Sequence, residues 1–428
     1  MRYYSLNNHD IKVSFREAAI TGIAKDKGLY FPERNPQLEQ EFIENIKNYS
    51  PSEIALKVIT PFVGDAIPQD VLKRIVGETL SFDFPVVNVE DGIYALELFH
   101  GPTMAFKDVG ARFMSRCLDY FTEGENQKIT ILVATSGDTG GAVASGFWGV
   151  EGIEVVILYP SGKVSPVQEM QLTALGHNIT ALEVSGTFDD CQDMVKKAFL
   201  DEGLKGIRLT SANSINIARW LPQMFYYFLA YKELKDLGKP IAVSVPSGNF
   251  GNICAGMMAR KMGLPIAHFI AATNANDTVP RFMKTKEYKP ETTVETLSNA
   301  MDVSNPSNFV RILELFGDSL DQELSSYSFT DAQTLEAIKK LYTENGYLAD
   351  PHGAVGYLGL KKFLKENQAH TGVFLETAHP VKFPDSIEKI LGMAITVPQQ
   401  LQSVMAGTKR SIPITSYNEL RSFLKERQ

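Results

Sequence analysis

From about residue 95 onward the chain alternates short, unbroken apolar runs with segments whose apolar positions recur every three or four residues. Strands covered on both faces read as continuous apolar runs, and helices that cover a sheet carry a single apolar stripe. The alternation therefore predicts parallel sheets with helices on both faces. Lys128 to Ala134 reads as a buried strand, followed by a glycine-rich turn and a helix of small residues from Gly140 to Phe147. Ile153 to Tyr159 and Ile179 to Val184 are the next strands. Between and after them lie helices at Ser165 to Leu175 and Phe188 to Leu200; Pro166 falls in a first turn, where its missing N–H is harmless. The rhythm restarts with a strand at Ile241 to Val245, a loop at Pro246 to Gly251, a helix to about Met262 and a strand at His268 to Thr273.

The chain before this region reads differently, with polar helices at Gln37 to Asn48, Ser52 to Val63 and Pro68 to Val76 and few strand signals. The pattern predicts an α/β protein of two parallel-sheet units behind a mostly helical N-terminal domain. The expected divisions are residues 1–92 for the helical domain, whose boundary falls near Phe84-Pro85, 93–205 for a smaller α/β domain and 206–428 for a larger one.

Composition narrows the function classes. With 428 residues, 44% of them hydrophobic and 21% charged, the chain is long enough for two or three well-buried cores. A net charge of −8 and the lack of a basic stripe argue against a general nucleic-acid binder. No apolar run approaches the ~20 residues that span a bilayer. The opening Met1-Arg2-Tyr3-Tyr4-Ser5-Leu6-Asn7 lacks the apolar centre of a secretory signal, so a cytoplasmic protein is expected. Cys117, Cys191 and Cys254 are scattered and odd in number, and the seven histidines form no ligand-like cluster; reduced thiols and no metal are expected.

Four places carry candidate chemistry. In His100-Gly101-Pro102-Thr103-Met104-Ala105-Phe106-Lys107-Asp108, a single lysine sits in an uncharged, partly aromatic setting. Burial disfavours the ammonium ion, and a neutral amine there can attack a carbonyl to start Schiff-base chemistry. The same lysine reads equally well as a solvated side chain paired with Asp108. Two glycine-rich loops follow strands and open helices, where ligands bind in such sheets. Ala134-Thr135-Ser136-Gly137-Asp138-Thr139-Gly140-Gly141 offers the Thr135, Ser136 and Thr139 hydroxyls and backbone N–H groups to a carboxylate, with Asp138 either an N-cap or the partner of a polar cofactor atom. Pro246-Ser247-Gly248-Asn249-Phe250-Gly251-Asn252 reads as a phosphate cup at a helix N-terminus, and equally as a tight turn that needs its glycines. It matches neither a dinucleotide fingerprint nor a P-loop. In Ser211 to Arg219, Asn213, Asn216 and Arg219 recur at intervals of three; with Lys163 they can hold a substrate phosphate, or they form an ordinary capped helix with a surface arginine. Thr377 closes an apolar strand, where its hydroxyl can reach a ring nitrogen, and His379 reads as a turn residue before Pro380.

A lysine, a phosphate cup and a carboxylate cradle together suggest pyridoxal phosphate. The segments HGPTMAFKD (100 to 108), ATSGDTGGA (134 to 142), SANSINIAR (211 to 219), VPSGNFGN (245 to 252), AATNANDTVPRF (271 to 282), LSNAMDVSNPSN (297 to 308) and ETAHPVKF (376 to 383) closely resemble the threonine synthase family. GLYFPE at 28 to 33 resembles its amino-terminal segment, and the whole is similar to the shorter, microbial-type branch. The resemblance implies the tryptophan synthase β-like fold (fold type II) and conversion of O-phospho-L-homoserine and water to L-threonine and phosphate by γ-elimination and β-addition. It implies that Lys107 is both the Schiff-base anchor and the general base, with Phe106 beside it. Ser247, Gly248, Asn249, Phe250 and Gly251 would hold the cofactor phosphate, Thr377 would face the pyridine nitrogen and Asp138 the ring's 3′-oxygen. A monomer or homodimer acting on a small molecule is expected. The rivals are a phospho-lyase of the same fold releasing 2-oxobutyrate, a serine or threonine dehydratase, for which the cluster at Asn213 to Arg219 and Lys163 would have no phosphate to bind, and a non-catalytic regulator, disfavoured by the intact lysine and loops.

Overall fold

The computed structural model describes residues 1–125, 127–392 and 394–427. The chain divides into two compact units, each assembled from separated stretches. The first comprises Met1, residues 31–106 and residues 220–396; the second comprises residues 2–30, residues 107–219 and the chain from Val397 onward. The contiguous divisions expected at 1–92, 93–205 and 206–428 do not follow these units. A hydrophobic pattern records which face of an element is covered, and does not record that the chain leaves a core and returns to it.

The first unit is built on a six-stranded sheet in the order Leu324–Ser328, His268–Thr273, Ile241–Pro246, Thr371–Glu376, Ile93–Glu97, Val86–Glu90. Its strands run parallel except for the edge pair Val86–Glu90 and Ile93–Glu97. The second unit holds a five-stranded, wholly parallel sheet in the order Ser411–Ile414, Ile179–Val184, Ile153–Pro160, Ile129–Ala134, Arg208–Ser211. Every residue of Ile129–Ala134, Ile241–Pro246 and Thr371–Glu376 is buried, as expected of strands with helices on both faces. These are the strands whose carboxyl ends lead into the candidate loops.

Strands Ile179–Val184 and His268–Thr273 and helix Phe188–Leu200 begin and end where the pattern places them. The expected early helices are present as Gln40–Glu44, Pro51–Val63 and Gln69–Thr79. Pro51–Val63 is started by a Ser50/Glu53 capping box. The chain nevertheless opens with an antiparallel strand pair, Arg2–Ser5 and Asn8–Ser14, and not with helix. Asn8–Ser14 is largely exposed, and its apolar alternation is confined to Ile11 and Val13, too short to reveal it. Leu324–Ser328, Arg208–Ser211 and Ser411–Ile414 are four or five residues long and too short for a period to register.

Helix Pro351–Leu364 covers the centre of the first sheet, burying Ala354, Tyr357, Leu360 and Phe363 against Ala242, Ile270 and Phe374. Its close approach depends on small residues: a Cβ on Gly359 would stand 2.7 Å from Ala272 Cβ and 3.0 Å from Ser244 Oγ. Ser244 Oγ in turn donates to the Gly356 carbonyl at 2.7 Å, locking helix to strand. Gly359→Val is expected to lower unfolding free energy by about 1–3 kcal/mol through overpacking. The urea midpoint checks this, and a value equal to the parent's would contradict so tight a helix–sheet contact.

Candidate active site

The lysine segment is fixed by an antiparallel backbone bridge within the first unit. Ala105 pairs with Ala378, the Phe106 N–H donates to the Thr377 carbonyl at 2.9 Å, and the His379 N–H donates to the Met104 carbonyl at 3.1 Å. This ties the turn preceding Lys107 to the carboxyl end of Thr371–Glu376. Met104 has φ +56, a left-handed conformation that non-glycine residues seldom adopt and that persists where neighbours over-determine it. Lys107 is the next residue in the chain, half-buried, and opens the helix Lys107–Thr122. Its neighbour Asp108 is buried and charge-coupled to Arg219.

Thr377 is 6% exposed at the strand end. His379 behaves as a turn residue: its Nδ1 accepts the Val381 N–H at 3.1 Å, and burial lowers its ring to about 4.

The loop after Ile241–Pro246 forms a cup at the N-terminus of the eleven-residue helix Gly251–Lys261. Phe250, its N-cap, has φ +59 and turns the backbone so that first-turn N–H groups, which have no intrahelical acceptor, converge. Gly248 is backed so closely by residue 301 that a Cβ would stand 2.6 Å from Met301 Cα. Asn249 is held by chain 59 positions away: its Oδ1 accepts the Ser307 N–H at 2.6 Å and its carbonyl accepts Asn308 Nδ2 at 3.0 Å. Not every group of the cup points at a ligand. The Ser247 N–H donates to the Ala272 carbonyl and its Oγ to the Val245 carbonyl, both at 2.8 Å. Asn252, just inside the helix, accepts from Tyr226 at 2.8 Å and Tyr227 at 2.7 Å through Oδ1, and its Nδ2 is a buried donor with no acceptor among the described residues. Aligned N–H groups, a helix dipole and an orphaned donor make a site fitted to a multiply charged anion.

In the second unit, Thr135 is buried and its hydroxyl accepts the N–H groups of Gly137 at 3.0 Å and Gly140 at 2.8 Å, shaping the loop itself. Ser136 and Thr139 are half-buried. Asp138 is the first residue of the helix Asp138–Phe147, and Gly137 is its N-cap. The carboxylate accepts Gln168 Nε2 at 3.0 Å, and Gln168 is itself buried and held in the Ser165 capping box. Sequence reasoning passed over Gln168, although the Ser-x-x-Gln spacing at 165–168 marks it as a capping residue.

The candidates for a substrate phosphate divide. Asn213 is half-buried, donating to the Ala134 carbonyl at 3.3 Å, and Lys163 is exposed. Asn216 is wholly buried: its Nδ2 serves the carbonyls of Ala19 at 2.8 Å and Ser211 at 3.2 Å, and its Oδ1 accepts the Ala218 N–H at 2.9 Å. Arg219 is not the surface arginine of the alternative reading; it is 3% exposed beside Asp108, and a Cβ on Gly110 would meet its backbone carbonyl oxygen at 2.5 Å. The side chain of Asn216 thus serves the local fold, and that of Arg219 lies buried beside Asp108.

The motifs at 271–282 and 297–308 form one buried polar clip. Asn274 Nδ2 donates to Thr296 Oγ1 at 2.8 Å and Asp302 Oδ1 at 2.9 Å, and Asp302 also accepts the Thr296 N–H at 3.0 Å and its hydroxyl at 2.7 Å. Asn276 exchanges hydrogen bonds with the Val294 backbone, both at 2.9 Å. The clip orders the loop that carries Met301 to Gly248. Burial, opposed by the Thr296 hydrogen bonds, raises the Asp302 carboxyl to about 6.

Comparison with known proteins matches residues 77–375 to the pyridoxal-phosphate-dependent enzyme family, residues 2–80 to the threonine synthase N terminus and residues 353–423 to the threonine synthase C-terminal region. The threonine synthase of Serratia marcescens is 45% identical over 430 residues, covering 99% of each chain. The Escherichia coli enzyme is also 45% identical, over 98% of this chain and 96% of its own. The crystal structure of threonine synthase from Escherichia coli superposes with a TM-score of 0.94 at 44% identity over the whole of both chains. A pyridoxal-phosphate-bound threonine synthase from Brucella melitensis gives 0.93 at 35% identity, covering 100% of this chain and 99% of its own. A threonine deaminase from Solanum lycopersicum, at 14% identity and a TM-score of 0.60, shares the fold.

Because Asp302 is held above its ordinary value of 3.8, the folded state favours its neutral form. Its stabilising contribution is present below about pH 4 and is lost as pH rises through about 6. The stability of the parent relative to Asp302→Asn should therefore fall between those values and level off above them. Urea midpoints of the two proteins from pH 4 to 7 test this, and a pH-independent difference would show that Asp302 is not held neutral.

Proposed function

Because the chain belongs to the threonine synthase family of pyridoxal-phosphate-dependent enzymes of fold type II, we propose that its substrate is O-phospho-L-homoserine, converted with water to L-threonine and phosphate, and that its residues divide the work as their positions suggest. The observation that carries the reading is the Ala105–Ala378 bridge, which fixes the segment before Lys107 against the strand end bearing Thr377. A cup at a helix N-terminus with the orphaned Asn252 Nδ2 suits the cofactor phosphate.

Pyridoxal phosphate, when bound, supplies an aldehyde that a lysine amine can hold and an electron sink for charge developing at substrate carbon. The residues do the remaining work. The cup Ser247 to Gly251 holds the phosphate end and Thr377 faces the ring nitrogen. A hydroxyl there is a weaker proton partner than a carboxylate, which leaves that nitrogen largely unprotonated. Phe106 flanks the site. Asp138, steadied by Gln168, faces the ring oxygen. The hydroxyls of Ser136 and Thr139 and the loop N–H groups shaped by Thr135 hold the substrate carboxylate. Lys107 anchors the cofactor and, once displaced by the substrate amine, takes the proton from Cα as general base. A proton lost from Cβ and phosphate lost from Cγ are followed by a proton gained at Cγ, and water then gives its hydroxyl to Cβ while a proton returns to Cα, which completes the balance. Asn213 and Lys163 hold the substrate phosphate, while Asn216 and Arg219 keep that segment in shape.

Incubating the holoprotein with O-phospho-L-homoserine should yield threonine and phosphate in equal amounts, and Lys107→Ala should yield neither. Phosphate accompanied by 2-oxobutyrate would identify a phospho-lyase, and no phosphate release would refute the substrate.

A further inference from the structure

Strand Thr371–Glu376 ends in an acid that turns inward. Glu376 and Asp350 are fully buried, and His352 is 3% exposed. Asp350 caps the helix Pro351–Leu364, accepting the N–H groups of His352 at 2.8 Å and Gly353 at 3.3 Å. The same carboxylate contacts His352 Nδ1 at 2.5 Å. His352 Nε2 accepts the Ala300 N–H at 3.2 Å, so the ring proton on Nδ1 is the one that faces Asp350. Asp350 N–H lies 3.5 Å from Glu376 Oε2, and the two carboxyl groups meet side chain to side chain.

Two touching carboxyl groups shut away from water do not both ionise. Burial first, and then the Asp350 charge, hold the Glu376 carboxyl well above the usual carboxylate range. At Asp350 burial also acts upward, but His352 and the hydrogen bonds outweigh it and the carboxyl lies below its ordinary value. Glu376 therefore carries the shared proton and donates it to Asp350. Its Oε1 is buried and receives no donor among the described residues, an arrangement an ionised carboxylate would not tolerate. A side chain at residue 353 would overlap this carboxyl group, so Gly353 is what admits it to the helix N-terminus.

The chain of hydrogen bonds ends at two functional places. At one end Glu376 is followed by Thr377; at the other, Ala300 leads into Met301, against which Gly248 packs. We propose that Glu376, Asp350 and His352 are positioning residues, one hydrogen-bonded chain that fixes the separation between Thr377 and the Gly248 cup and so matches it to the span from ring nitrogen to phosphate of a single cofactor molecule. The inference rests on the roles proposed above for Thr377 and for Ser247 to Gly251. The cofactor is a rigid ring on a short arm, so a small error in that span loosens both ends together.

The test is the affinity of the full chain for pyridoxal phosphate together with the ³¹P resonance of the bound phosphate. Glu376→Gln keeps a donor toward Asp350 and should bind within about twofold of the parent with an unmoved resonance. Glu376→Leu keeps the volume without the donor, and should weaken binding about tenfold or more and shift the distant phosphorus signal. His352→Ala removes the acceptor of the Ala300 N–H together with the Nδ1 donor to Asp350, leaves the residues of the strand unchanged, and should do the same. Leu and Ala variants with parental affinity and resonance would overturn the proposal, as would a Gln variant as impaired as the Leu variant. Asn252→Asp, which keeps the oxygen that accepts from Tyr226 and Tyr227 and replaces the orphaned Nδ2 donor, separates the two layers of argument. If it leaves the phosphorus signal unchanged, the cup assignment falls and takes the inference with it; if it shifts the signal and Glu376→Leu does not, only the inference falls.

Discussion

The bridge between Ala105 and Ala378 is the constraint on which the site depends. A lysine becomes chemically useful only if its backbone is held, because four rotatable side-chain bonds otherwise let the amine wander. Here two backbone hydrogen bonds, at Met104 and at Phe106, hold the turn before it against the end of a fully buried parallel strand, itself paired on both sides. Strained Met104 is part of the same arrangement: its left-handed φ is stabilised by the carbonyl it offers to His379. Rigidity made in the sheet is passed through the bridge to Phe106, and from there along the chain to Lys107.

Charge is distributed on a similar logic, with buried ions paired among themselves and kept from the ligand-facing groups. Arg219 sits beside Asp108 in the second unit, so the residue next to Lys107 already has its counter-ion. An amine flanked by an unpaired carboxylate would be drawn toward the ammonium form, which is the wrong form for attack on a carbonyl. In the first unit Glu376 would place an anion next to Thr377 were it ionised. Its proton, shared with Asp350, removes that charge from the neighbourhood of the Thr377 hydroxyl, for which we propose an unprotonated ring nitrogen as partner. Neutrality at that position is a property of the pair and not of the glutamate.

Much of this was legible in the sequence, and the limits have physical causes. The central strands and the helices between them are visible because two-sided burial writes an unbroken apolar run. The loops are visible because close approach of backbone to an anion or to another chain segment demands glycine, as Gly248 against Met301 illustrates. What was hidden depends on contacts distant in sequence. Asn213, Asn216 and Arg219 look alike as polar residues spaced by three, yet the partners that bury the last two are Ala19 and Asp108. The largely exposed strand Asn8–Ser14 alternates only at Ile11 and Val13, and the discontinuous units follow from where the chain returns to a core.

The polar motifs at 271–282 and 297–308 show why a loop far from the reacting atoms can be as demanding in sequence as the site. Gly248 lacks a side chain so that Met301 can approach, and that approach leaves the cup no support of its own on that side. Support comes from Asn274 and Asp302 binding Thr296, and from the Ala300 N–H on His352. Asn274 and His352 are buried and Thr296 and Asp302 half-buried, and a buried group left without its partner here would cost about 1–3 kcal/mol. A loop held by several such interactions has few alternative conformations of comparable energy. The shape of the loop from Ser247 to Gly251, which we propose as the anion cup, is therefore supported by asparagine, aspartate and histidine side chains that lie outside that loop.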